Sequence, residues 1–261
     1  MDGEGLTNLG GMLKTWNESF TNVRVINDQL AAAQTATPET TSAENSGSGN
    51  STPGNIAFKS EGPIGIAPER LSSRLRTATR AEHDSLETVV PLMSTTMNNQ
   101  EYGAYLQCLW PLYQAIEYQT EMAQPTWFED MGLARRLPLL SADLASLGLR
   151  APDTAFTHSL MPSLDRHEQR LGMYYVLEGS SLGAKVIRKH LSSNGVVNVD
   201  ASAQFFDPYG DRMMPTWLSF KAAIDHYTDN EAASALIIES AKQTFECYEN
   251  WLRRSGYPQL R

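Results

Sequence analysis

From Pro68 to the C-terminus, apolar residues return in steps of three and four, and strand-like alternation is scarce. This spacing predicts helices over residues 68–88, 99–120, 131–148, 165–192, 214–227 and 231–254. Turn formers punctuate the gaps at Asn98, Pro125, Pro152, Pro208 to Gly210 and Asn230. The Val-rich stretch GVVNVD is short and sits between helical patterns, so it does not argue for a sheet. No internal repeat is visible. Residues 67–261 read as one all-α domain, a multi-helix bundle.

The first 66 residues follow a different pattern. Met12, Leu13, Trp16, Phe20, Val23, Ile26 and Leu30 are spaced for an amphipathic helix over residues 11–33. The following QTATPETTSAENSGSGNSTPGN is nearly free of apolar residues. Such a segment buries too little surface to offset its ordering entropy, and a flexible linker is expected. Two readings of the extension stay open: a tail with one transient helix, or a docking helix for a partner or for the main domain.

A formal net charge of −9 argues against nucleic acid as the main partner, because neutralising phosphates needs clustered Lys and Arg. An anionic small molecule still fits if the few basic residues converge at one site. Cys108 and Cys247 stand alone, without a CxxC or Cys-Pro pair, and read as small buried hydrophobes. The N-terminal MDGEGLTNLGG lacks the basic and apolar regions of a signal peptide. No apolar run approaches the ~18 residues of a spanning helix. A cytoplasmic protein without membrane segments is the expectation.

Candidate chemistry concentrates first in ERLSSRLRTATRAEHDSLE. Arg76, Arg80, His83 and Glu87 are offset by four, three and four, which stacks them on one helix face. Neutral imidazole is a common metal ligand whose second nitrogen needs an acceptor to fix its tautomer, and Glu87 lies one turn onward. Taken alone, the same residues are ordinary surface decoration, with Arg–Glu pairs worth about 0.3 kcal/mol each.

A second segment, LGMYYVLEGSSLGAKVIRKHL over residues 171–191, places Gly179, Ser180, Ser181, Gly183 and Ala184 in the middle of a strong helical pattern. Each interior glycine costs roughly 1 kcal/mol against alanine, so the pair needs a reason. One is a kink or close helix packing. The other is that the missing side chains let a flat ligand lie against the backbone, with water held by Ser180 and Ser181.

Together, LRTATRAEHDSLE and YYVLEGSSLGAKVI resemble the proximal and distal helices of heme oxygenases, in the form common among bacterial members. RRLPLLSADLASLG and AKQTFECYENWL agree, so the likeness covers about residues 68–255. It implies an all-α fold with heme sandwiched between a proximal and a distal helix. The implied activity opens heme to biliverdin, releases carbon monoxide and ferrous iron, and consumes O2 and electrons from a ferredoxin or reductase. His83 matches the iron ligand and Glu87 its hydrogen-bonding neighbour. Arg76, with Arg80 on the same side, corresponds to basic residues near the heme propionates, and Lys221 in WLSFKAAI to another. Gly179 and Gly183 match the glycines that approach the distal heme face, and Tyr174 a distal tyrosine whose hydroxyl joins the water network there. A bilin-binding photoreceptor is then a candidate partner for the N-terminal helix.

Two positions depart from the animal-type pattern. Ser180 stands where those members carry aspartate, and Ala184 replaces a third glycine, so Ser180 or another group must organise distal water. A heme carrier or sensor without turnover would share the fold. A di-iron relative would need Glu and Glu-x-x-His ligands from several helices, a spacing that Glu82-His83 lacks. His158, His167, His190 and His226 lack metal-ligand spacing and read as surface or core residues. Trp110, Tyr113, Phe245 and Trp251 are expected to pack in the core, with some available to line a heme pocket.

Overall fold

The computed structural model describes residues 68–122, 131–196 and 198–255; the expected helix over 11–33, the linker after it and Pro125 lie outside them. Among the described residues every regular element is helical. The main helices are α1 (Leu71–Ala78), α2 (Arg80–Glu87), α3 (Asn99–Met122), α4 (Arg136–Ser146), α5 (His167–Ser180), α6 (Ala184–Ser193), α7 (Met213–Asp225) and α8 (Glu231–Arg254). Short 3-10 turns lie at Pro91–Met93, His158–Leu160, Ser181–Gly183 and Gly210–Arg212. The GVVNVD stretch leads into a single α-turn, Val199–Ser202, entered through a left-handed Asn198 with φ of 56°.

The central pairing is α5 against α8. It is close because of Gly172, where a Cβ would collide with the Ile237 carbonyl oxygen and lie 2.9 Å from the Ala241 nitrogen. Ser240 Oγ donates to the Gln169 carbonyl at 2.6 Å across the same contact. Helix α2 also packs on α8, and α1 touches both α7 and α8. Leu71 and Leu75 anchor α1 with no exposed surface, each burial worth roughly 1.5–3 kcal/mol. The orphan N–H groups at the start of α1 are taken by α7 and the turn after it. Leu71 N donates to Thr228 Oγ1 at 3.1 Å and Ser72 N to Asp225 Oδ1 at 2.8 Å.

Three predicted helices differ in detail. Helix α4 starts at Arg136 rather than near 131, because Gly132 holds a φ of +64° that no α-helix continues through. Its first N–H groups are capped from α3, with Glu117 Oε1 accepting from Arg136 N at 2.5 Å and Leu137 N at 2.8 Å. The helix expected over 68–88 breaks at Thr79, whose φ, ψ of −100°, 8° leave helical space. There the Thr79 hydroxyl donates back to the Leu75 carbonyl at 2.8 Å, a local bond that competes with helix continuation. The helix expected over 165–192 is divided into α5, the Ser181–Gly183 turn and α6. Ser181 N–H turns to the carbonyls of Glu178 and Gly179, three and two residues back, instead of to Leu177.

Candidate functional site

Helix α2 presents His83 toward the interior, with 22% of the side chain exposed. The ring of Phe245 on α8 meets the imidazole edge-on, with centroids 5.7 Å apart and planes at 72°. On the opposite side, Nδ1 lies 3.5 Å from Glu87 Oε1 and 3.6 Å from Asp84 Oδ1. Burial lowers the His83 pKa and outweighs the Asp84 carboxylate, which raises it, so the imidazole is neutral at physiological pH. Glu87 is pushed up to about 7, chiefly by burial and then by the Asp84 charge. His83, Asp84 and Glu87 form a group that could hold a metal ion. All three come from one helix, whereas a di-iron site draws its ligands from several.

The glycine segment contains a kink and also room. Gly179 would present a Cβ to only one neighbouring group, Cη2 of Trp217 at 3.9 Å, which is ordinary van der Waals contact. Close helix packing is therefore served by Gly172 seven residues earlier, and protein packing does not require Gly179 to be a glycine. Gly183 is buried within the 3-10 turn. Ser180, expected to hold distal water, is exposed and spends its hydroxyl proton on the Leu177 carbonyl at 2.6 Å. Ser181 is the buried serine of the pair.

The basic residues separate into two groups. Lys221 on α7 is desolvated, which lowers its pKa, and Asp225 partly offsets that while Arg70 and Arg76 lower it further. Arg76, Lys221 and Arg70 thus form one cluster of like charge; Arg70 was not singled out in the sequence. Arg80 lies in an exposed ion pair with Asp84 at 2.8 Å. Tyr174 is buried on another face, where its hydroxyl meets Thr120 near Glu117 and Glu178. The tyrosine facing the proximal helices is its neighbour Tyr175, beside Thr79 and Arg76 and 5.8 Å from Trp217 between ring centroids. Burial pushes Tyr175 up to about 12. One residue along a helix is a turn of roughly 100°, which exchanges the two tyrosines between faces.

Behind the glycine segment lies a buried ionic network that sequence reasoning missed. Arg136 and Glu178 are each only 3% exposed and approach to 3.4 Å. The Tyr209 hydroxyl donates to Glu178 at 2.7 Å, and the Arg136 guanidinium stands 5.8 Å from the centre of the Tyr209 ring. Removing one partner of such a pair costs about 3–5 kcal/mol, because the other charge is left buried. Tyr113, Glu117, Tyr174 and Leu177 join Arg136 and Glu178 around a small internal cavity. Of the other residues considered, His190 is buried with Nε2 2.9 Å from the Ser94 carbonyl oxygen, and His167 and His226 contact Tyr227. Cys247 is buried, while Cys108 is only half-buried, its thiol against the Ser255 hydroxyl; both are free.

A family model described as heme oxygenase matches residues 69–254, a span that contains all eight main helices. The chain belongs to the heme oxygenase family. It is 25% identical over 186 residues to heme oxygenase PigA of Pseudomonas aeruginosa, covering 70% of this chain and 92% of that protein. A heme oxygenase of Xanthomonas campestris is 31% identical over 126 residues, 48% of this chain and 71% of that one. Among solved structures, the NO- and CO-bound heme oxygenase of Neisseria meningitidis superposes with a TM-score of 0.57 at 23% identity, covering 71% and 92% of the two chains. The heme oxygenase of Leptospira interrogans gives 0.54 at 18% identity, covering 70% and 98%. These two likenesses establish the heme oxygenase fold for the described helices.

Proposed function

We propose that this chain is a heme-degrading enzyme that converts heme to biliverdin, carbon monoxide and ferrous iron. The observation that carries the reading is the pairing of His83 and Gly179. One is a desolvated, neutral imidazole with Glu87 Oε1 3.5 Å from Nδ1, and the other is a glycine near the end of α5 for which protein packing gives no reason. Bound heme would supply both the redox iron and the porphyrin that O2 and external electrons open.

The residues present fit that group. His83 would hold the iron, with Nδ1 turned to Glu87 and Nε2 to the metal. A carboxylate near Nδ1 accepts its proton, fixes the tautomer and raises the basicity of the ligating nitrogen. Phe245 restrains the ring against rotation. Gly179 and Gly183, without side chains, would let the distal backbone approach the ring face. Arg76 and Lys221, joined by Arg70, suit two propionates: their mutual repulsion is relieved by an anion. Tyr175 and Trp217 would cover the edge next to that cluster and exclude water. With Ser180 spent on Leu177, ordered water on the distal side would rest on backbone carbonyls of the break. Arg80 is the weaker candidate for a propionate, since Asp84 holds it.

The electron donor is expected to be a ferredoxin or reductase, and residues 1–66 an extension that docks a partner such as a bilin-binding photoreceptor, with residues 67–261 carrying the heme chemistry. Among the described residues no helix is long and apolar enough to cross a membrane.

Heme titration of the full chain tests the binding half of the reading. Wild type is expected to give a sharp one-to-one Soret band, and His83→Ala a shifted band with altered spin state. Identical spectra for the two proteins would remove His83 from the iron and the reading with it.

A further inference from the structure

The break between α5 and α6 deprives the Leu177 carbonyl of the Ser181 N–H that an unbroken helix would give it. Two side chains take that carbonyl over: Ser180 Oγ at 2.6 Å from within the break, and Arg136 Nη2 at 3.3 Å from outside. The same Nη2 donates to Ser181 Oγ at 2.8 Å, and Nη1 donates to the Phe205 carbonyl at 3.0 Å in the loop after α6. Glu178, 3.4 Å from Nη2, balances the charge. The Arg136 backbone is itself fixed, since its N–H donates to Glu117 Oε1 at 2.5 Å.

Stability alone gives little reason to bury this pair, because apolar residues of similar volume often do as well. What the planar fork of an arginine adds is several donors at fixed angles. Here they converge on a segment whose two glycines offer no side chains for packing to grip. We propose that Arg136 is a positioning residue for the distal segment: it staples the Leu177–Gly183 break from behind and holds Gly179 and Gly183 at a fixed height over the ligand face. What that segment faces rests on the heme reading; the staple is a property of the chain alone.

The test uses the full chain with Arg136→Lys and Ser181→Ala beside wild type. Amide hydrogen exchange is measured without heme, and the infrared C–O stretch is measured on the carbonmonoxy heme complex. Exchange over residues 181–184 is expected to accelerate about tenfold in Arg136→Lys and by a smaller factor in Ser181→Ala, with α8 amides within about twofold of wild type. The C–O band is expected to broaden or split as the segment samples more than one height. Unchanged exchange at 181–184 in both variants, or an equal rise in α8, would overturn the staple. If Arg136→Lys does not fold, Ser181→Ala decides, since it removes one acceptor and leaves the ion pair intact. If wild type binds no heme, the proposed function fails while the exchange data still judge the staple.

Discussion

Phe245 and His83 meet edge to face across the α2–α8 contact, their ring centroids 5.7 Å apart. The contact ties His83 to α8, the helix that also packs against α5 at Gly172. Phe245→Ala removes the aromatic pair and leaves a cavity, at a cost of about 3–5 kcal/mol. Thermal melts of the heme-free protein should show that loss. In the heme complex, electron spin resonance should show a broadened axial-ligand signal as the imidazole gains orientations.

The two glycines of α5 make opposite predictions. Gly172→Ala forces a Cβ onto the Ile237 carbonyl and should destabilise the heme-free chain by more than about 2 kcal/mol. Gly179→Ala meets only Trp217 and adds helix propensity, so heme-free stability should hold or rise by up to ~1 kcal/mol. Heme affinity should instead fall about tenfold or more, if the ring lies against that backbone. Equal heme affinity in Gly179→Ala would return the glycine to a purely conformational role.

The cation cluster should cost the empty protein and serve the loaded one. Lys221→Met removes a desolvated charge that Arg70 and Arg76 disfavour, so heme-free stability should rise. Heme should bind more weakly, with a shallower dependence on ionic strength. Arg76→Met is expected to act in the same direction. Arg80→Met breaks an exposed pair with Asp84 and removes a charge that also acts on His83 and Glu87; heme affinity should fall less than in Arg76→Met.

Asp143 sets a pH dependence away from the site. Its buried carboxylate accepts from Gln204 N at 2.9 Å and Phe205 N at 2.8 Å, yet burial outweighs those donors and pushes it up to about 6. The folded state therefore binds this proton more tightly than the unfolded chain. Its contribution to stability is fully present below the unfolded value of ~4 and is lost as pH rises through about 6. Urea midpoints across that window should fall more steeply with pH in wild type than in Asp143→Asn, in which Glu87 and Glu117, also raised by burial, still contribute. That variant should also lose about 1–2 kcal/mol through an unmet N–H.

Much of this site was legible in the sequence because it is local. His83 and Glu87 are one turn apart, and the two glycines interrupt a periodic segment, so helical arithmetic gave their spacing, while the roles expected of them came through resemblance. Arg76 and Lys221 lie on different helices and were joined through resemblance; the structure adds Arg70 to them. A kink in the glycine segment was one of two readings of the sequence; that it takes the form of a 3-10 turn at Ser181–Gly183 was not legible, because small polar residues fit a helix interior as well. Tyr174 came through resemblance, and only the fold shows that it lies beside Thr120 while its neighbour Tyr175 lies beside Thr79 and Arg76. Arg136 and Glu178 were invisible for a different reason. Each sits in a stretch, ARRLP and LEGS, whose charges look solvated until the fold buries both.

A single turnover shows whether this chain opens the heme it binds. The full chain loaded with one equivalent of ferric heme is given ascorbate in air, beside His83→Ala with and without added imidazole. The wild-type Soret band is expected to decay into biliverdin absorption with carbon monoxide released, His83→Ala to be impaired, and imidazole to restore part of its activity. A heme complex that survives reduction in air without bilin or carbon monoxide would rule out heme degradation and leave a heme carrier on the same fold.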